Sequence, residues 1–84
     1  MNSIDLKTEQ PMTIEQKFGS TIVRLRKEKH LSQERFAGEA GVSTRYMSDV
    51  ENGIRNISLD IIEKIAKQLE MSIAELFAEV EKSE

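Results

Sequence analysis

Apolar residues recur along this chain at helical spacing, in short blocks set apart by turn formers and polar residues. Ile14, Phe18, Ile22 and Leu25 make one stripe, and that period predicts a first helix from Thr13 to about Lys29. Thr13 and Gln16 form a T-x-x-Q capping box at its start. Phe36, Ala37 and Ala40 give a second, short helix its apolar face, with Ser32 as N-cap and Leu31 and Phe36 as a hydrophobic staple. Gly41 stops that helix, since glycine takes the left-handed backbone of a sharp turn at little steric cost. Val42-Ser43 start a third helix, with Met47 and Val50 facing inward and Asn52-Gly53 at its end. Ser58 caps a fourth helix whose buried face is expected to hold Leu59, Ile62, Ile65, Ala66 and Leu69, with Ile61 beside the stripe. Ser72 and Glu75 box the start of a fifth, with Ile73, Leu76, Phe77 and Val80 as its stripe.

Four of these helices open with the same local device, an apolar residue, a serine and a second apolar residue four places after the serine. They run from Leu31 to Phe36, Val42 to Met47, Ile57 to Ile62 and Met71 to Leu76. Starts this consistent predict a well-specified all-α fold. The variable spacing between them excludes a solenoid repeat. The third helix differs from its neighbours. Only Met47, Val50 and part of Tyr46 are available for burial, so Thr44, Arg45, Ser48 and Asp49 point outward. A helix held by its back with a polar front suits insertion into a DNA major groove. An ordinary helical hairpin with a solvated face carries the same pattern.

The segments LSQERFA, AGVS and YMSDVENG, with Gln33, Ala37, Gly41, Val42, Met47, Val50, Glu51 and Gly53 in register, resemble the lambda-repressor-like (Xre) helix-turn-helix family of bacterial and phage transcription regulators. The resemblance runs from about Phe18 to Phe77. Tyr46 to Ser48 and Arg55-Asn56 look most like the small restriction–modification controller proteins within that family. The resemblance implies a compact five-helix DNA-binding domain, with the helix-turn-helix at helices two and three. It also implies a homodimer on a roughly palindromic operator, with RNA polymerase as a candidate partner. The expected organisation is a flexible arm over 1–12, the domain over 13–80 and an acidic tail over 81–84.

At 84 residues the chain is one small domain with a modest core. The absence of cysteine excludes a disulfide framework and a thiolate metal site, and the reading is cytoplasmic. No apolar run approaches the roughly 20 residues of a membrane span, and no signal-peptide core opens the chain. A net charge of −3 argues against a DNA binder only if charge is evenly spread. Arg24 to Lys29, RLRKEK, holds four positive residues and one negative, while Ile57 to Glu84 holds three positive and seven negative. Lys27 and Lys29 are then either phosphate contacts or a solvated helix face. The N-terminal arm offers only Lys7 as a positive charge to a minor groove. His30 stands where the family often carries glycine, which implies a helix-end residue at positive φ. No metal, cofactor or small-molecule ligand is expected, because metal sites need several convergent ligands.

Within this reading, Thr44, Arg45, Ser48 and Asp49 are the candidate base contacts. Arg45 is the best reader, since its fork fits guanine O6 and N7 together. Asp49 either accepts from cytosine or faces water. Gln33, Tyr46, Asn52 and Arg55 are the candidate phosphate contacts, with ring packing as the alternative for Tyr46. Ile61, Ile65, Phe77 and Val80 are the candidate dimer surface. In the family, the positions of Arg26 and Glu51 hold an Arg and a Glu that join two helices, which implies a structural ion pair here. An enzyme is disfavoured: there is one histidine, no Gly-rich phosphate loop, and capping accounts for the serines. The strongest rival is an antitoxin-like protein-interaction module on the same fold. RNA binding ranks third, because few aromatics are available for stacking.

Overall fold

The computed structural model describes residues 11–83, and among them the only regular elements are five helices: α1 (Ile14–Glu28), α2 (Gln33–Ala40), α3 (Thr44–Glu51), α4 (Leu59–Gln68) and α5 (Ile73–Lys82). Each begins where a hydroxyl side chain caps it. Thr13, Ser32, Ser43, Ser58 and Ser72 all sit in extended backbone and accept from the amide three residues on. The caps satisfy donors that a helix start otherwise leaves orphaned. Thr13–Gln16 and Ser72–Glu75 form complete capping boxes. Helix α1 packs on α3 and α5, α2 on α3 and α4, and α4 on α5. The shared core is Phe18, Ile22, Phe36, Met47, Val50, Ile62, Ile65, Leu76 and Val80 with small residues between them.

His30 has a φ of 58°, as expected of a residue closing α1, and Glu70 repeats that geometry after α4. Three members of the expected stripes are exposed. Ile14 is 56% exposed, Leu59 82% and Ile73 45%. Each lies in the first turn of its helix, where the chain is still entering the bundle. The staple residues just ahead of α4 and α5, Ile57 and Met71, pack against the core instead.

The far end of α5 also differs from the expected boundary at residue 80. Glu81 and Lys82 continue the helix, and Ser83 follows as its C-cap. Ser83 Oγ shares a 2.8 Å hydrogen bond with Oγ of the buried Thr21 on α1. Arg24 of α1 donates to Glu79 at 2.8 Å in the same seam. Arg24, assisted by Lys82, holds the Glu79 carboxyl below its ordinary value. The expected arm over 1–12 lies outside the described residues except for Pro11 and Met12, and so does Glu84.

Candidate nucleic-acid interface

Helices α2 and α3 are joined by the turn at Gly41, whose φ of 75° places it in the left-handed region. The Val42 amide donates back to the Ala37 carbonyl at 3.0 Å and closes the turn. The apolar back of α3 is fixed by Met47 and Val50, both in the core. A second constraint comes from α1. A Cβ added to Gly19 would stand 2.5 Å from the Val50 carbonyl oxygen and 2.6 Å from that of Glu51. The backbones of α1 and α3 therefore meet where no side chain fits. The sequence reading missed this residue. The available signal was a glycine inside a helix, which costs about 1 kcal/mol against alanine and calls for a packing reason.

The C-terminal end of α3 is also tied down by charge. Arg26 Nε donates to Glu51 Oε2 at 2.8 Å and Arg26 Nη2 to Oε1 at 3.0 Å. Arg26 Nη1 reaches the Leu31 carbonyl at 2.8 Å, and Gln33 Nε2 adds a 2.9 Å bond to Glu51 Oε1. The side chains of Arg26 and Glu51 are only 10% and 5% exposed. This is a fork-on-carboxylate pair in a nearly dry site, linking α1, the loop before α2, α2 itself and α3. Gln33, expected on phosphate, is thus committed in part to the protein.

With its back and end fixed, α3 presents its other face outward. Thr44 and Arg45 are exposed, Ser48 and Asp49 partly so. Asn52 Nδ2 lies 3.5 Å from Ser48 Oγ. Arg55 stacks its guanidinium 4.5 Å from the centre of the Tyr46 ring and points Nη2 at Asp49 Oδ2, 3.5 Å away. Tyr46, Asp49 and Arg55 therefore form one cluster rather than three separate contacts. Of the five arginines, four face a carboxylate: Arg24, Arg26, Arg35 and Arg55. Arg45 has no ionic or hydrogen-bonded side-chain partner among the described residues.

Two other expectations change. RLRKEK is not a free basic stripe. Arg26 is buried on Glu51, Arg24 contacts Glu28 and Glu79, and Lys29 contacts Glu70. Only Lys27 of that run is left without such a partner among the described residues. Ile65 and Val80, expected on a dimer surface, are 0% exposed and belong to the monomer core, because they lie on the sides of α4 and α5 that face the other helices. Ile61 and Phe77 are partly exposed, with Phe77 resting on Phe18 at a centroid distance of 5.7 Å. Phe77 and the exposed Ile14 line an open cavity of about 290 Å³ together with Phe18, Ile57 and Ile62, and Ile54 and Leu59 are further exposed apolar residues.

The control protein C.MunI of a Mycoplasma species is 46% identical over 67 residues, spanning 79% of this chain and 90% of that protein. The restriction–modification controller C.AhdI of Aeromonas hydrophila superposes with a TM-score of 0.71 at 43% identity, covering 75% of this chain and 96% of its own. The controller C.Esp1396I, solved as a tetramer in complex with its natural 35 base-pair operator, superposes with a TM-score of 0.75 at 29% identity, over 86% of this chain and 95% of that one. A helix-turn-helix family model matches residues 22–76, most of the described bundle and all of α2 and α3, and the chain belongs to that helix-turn-helix family, of the Xre-like kind.

Proposed function

We propose that this chain is a sequence-specific, double-stranded-DNA-binding transcription regulator of the restriction–modification controller type, acting as a homodimer on a roughly palindromic operator. The observation that carries the reading is Arg45. It stands exposed, with no ionic partner among the described residues, on the polar front of a helix whose back and end are locked. A guanidinium held that way is ready for a base edge, whereas one already on a carboxylate must first give up its partner. Thr44 and Ser48 flank it as further base contacts, and Asn52 borders the same face as a phosphate contact. The operator complex of the similar C.Esp1396I supports the same use of the fold.

One α3 covers only a few base pairs, so two copies about one helical turn apart give useful specificity. The dimer surface proposed for this chain keeps Ile61 and Phe77 and takes Leu59, Ile54 and Ile14 in place of the buried Ile65 and Val80. Exposed large apolar groups are the usual material of association sites, and Ile14 and Phe77 already line one open cavity. The same reading implies a cytoplasmic protein. Selection of bound duplexes from random DNA tests it. An enriched inverted repeat is the expected result. No enrichment at low salt would overturn the reading in favour of a protein-interaction module.

A further inference from the structure

We propose that Asp49 is a positioning residue for operator recognition, holding the Arg55 guanidinium over Tyr46 in the orientation in which Arg55 meets DNA. The inference rests on the operator-binding function above and assigns a job inside it. Arg55 lies in the segment between α3 and α4, outside any helix. No local periodicity therefore directs its long side chain. Two contacts do so instead. The guanidinium carbon lies over the Tyr46 ring, 4.5 Å from its centre, which seats the fork. Asp49 Oδ2 sits 3.5 Å from Nη2 and anchors one end of it. Asp49 is the more sheltered partner, 21% exposed against 42% for Arg55. The carboxylate is thus the fixed point and the guanidinium the presented group. Arg55 Nε and Nη1 have no acceptor among the described residues. One edge of the fork is held while the rest stays available for a phosphate or base acceptor.

The alternatives for Asp49 differ in sign. A carboxylate that merely borders the phosphates repels them, so removing it tightens binding to any DNA. A carboxylate that reads cytosine is needed whether or not Arg55 is present. A carboxylate that positions Arg55 is needed only when Arg55 is there.

The experiment is a double-mutant cycle in DNA affinity, using the duplex that the full-length wild-type chain enriches from a random library and a non-enriched duplex as control. Asp49→Ala should weaken binding to the enriched duplex roughly five-fold per half-site, the size of one modest stacking and charge contact. In the Arg55→Ala background the same change should cause no loss. Asp49→Asn keeps an acceptor for Nη2, so it should recover part of the affinity, and it serves if the alanine variant folds poorly. Tyr46 is the only tyrosine and tryptophan is absent. Intrinsic fluorescence of the DNA-free protein therefore reads the stack directly. Asp49→Ala should move the emission toward that of Arg55→Ala, and unchanged emission would overturn the proposal. Tighter binding in both backgrounds, or an equal loss in both with altered preference at one base, would also overturn it. Failure of the wild type to enrich any duplex would remove the operator function itself. Strong wild-type binding with no coupling would remove only the role of Asp49.

Discussion

Replacing Glu51 by alanine should cost this protein a large part of its stability without touching the outward face of α3. The structure sets the magnitude. Glu51 accepts three hydrogen bonds, two from Arg26 and one from Gln33, at 2.8–3.0 Å. With the pair only 10% and 5% exposed, water cannot replace what is lost. Removing the carboxylate leaves a buried guanidinium whose remaining bond is to the Leu31 carbonyl. Stranding one partner of a buried pair costs about 3–5 kcal/mol, against about 1 kcal/mol or less for an exposed one. A domain of this size has roughly 5–15 kcal/mol in all. Tm should therefore fall by at least ~12 °C, at ~4–8 °C per kcal/mol. Arg26→Lys should lose part of the same amount, because an ammonium cannot bond both carboxylate oxygens in the plane of a fork. Urea unfolding followed by far-ultraviolet circular dichroism, on wild type, Arg26→Ala, Glu51→Ala and the double variant, gives the coupling. The two single losses should overlap rather than add. A matched apolar pair, Arg26→Met with Glu51→Leu, should restore much of the stability, since desolvation offsets most of what a buried ion pair contributes. Coupling near zero, or an intact Tm in Glu51→Ala, would refute the account.

Arg45→Ala should lose roughly 1–3 kcal/mol per half-site and relax preference at one base position, read by competition with substituted duplexes, with Tm unchanged. Gly19→Ala should destabilise by about 1–3 kcal/mol despite alanine's better helix propensity, because the new methyl meets the backbone oxygens of Val50 and Glu51, which cannot move aside; Tm is the measurement. Phe77→Asp or Leu59→Asp should give folded monomer with weakened operator binding, and sedimentation should separate this from Ile65→Asp, which should unfold the chain because Ile65 is wholly buried. For Glu79, whose carboxyl Arg24 and Lys82 hold below the ordinary 4.5, the contribution is fully present above that value and disappears as pH falls through the lower folded one. The Tm difference between wild type and Glu79→Gln should accordingly be constant at neutral pH and vanish in acid.

The helices were legible because their signals are local. A serine with an apolar residue before it and another four places after it specifies a helix start within one turn; four serine caps stand where that reasoning placed them, and Thr13 stands where its capping box with Gln16 did. The turn at Gly41 and the polar front of α3 were readable for the same reason. Contacts between distant segments were not. Periodicity assigns Leu59 and Ile65 to one stripe, yet Leu59 is 82% exposed and Ile65 is 0% exposed. The stripe gives the direction of the core but not where along the helix the neighbouring elements stop. Likewise Ile65 and Val80 looked surplus to a small core because a count of apolar residues contains no volumes. RLRKEK looked like a basic stripe because Glu51, Glu70 and Glu79, its actual partners, lie 25 or more residues further along the chain. Thr21 with Ser83 and Gly19 with the end of α3 gave no pairwise signal at all.

Those long-range pairs explain how a chain of net charge −3 presents a usable surface to a polyanion. Excess acid is not simply kept at a distance. Much of it is spent internally on the arginines and lysines that would otherwise form a diffuse basic patch. Arg24, Arg26, Arg35 and Lys29 each face a glutamate, so none adds a free cation to non-specific attraction. Non-specific affinity scales with the number of phosphates neutralised. Each cation paired in this way contributes less to attachment on random DNA. The positive charge left on the front of α3 is Arg45, joined from the next segment by Arg55 on Tyr46. On the function proposed above, discrimination among sequences then rests on whether those two side chains find their acceptors. The corresponding measurement is the salt dependence of binding: the slope on non-enriched DNA should be shallow for a protein of this fold, and Glu70→Gln with Glu79→Gln, which free Lys29 and leave Arg24 with Glu28 alone, should steepen it while lowering the ratio of specific to non-specific affinity. An unchanged slope in that double variant would show that those cations lie too far from the DNA to matter.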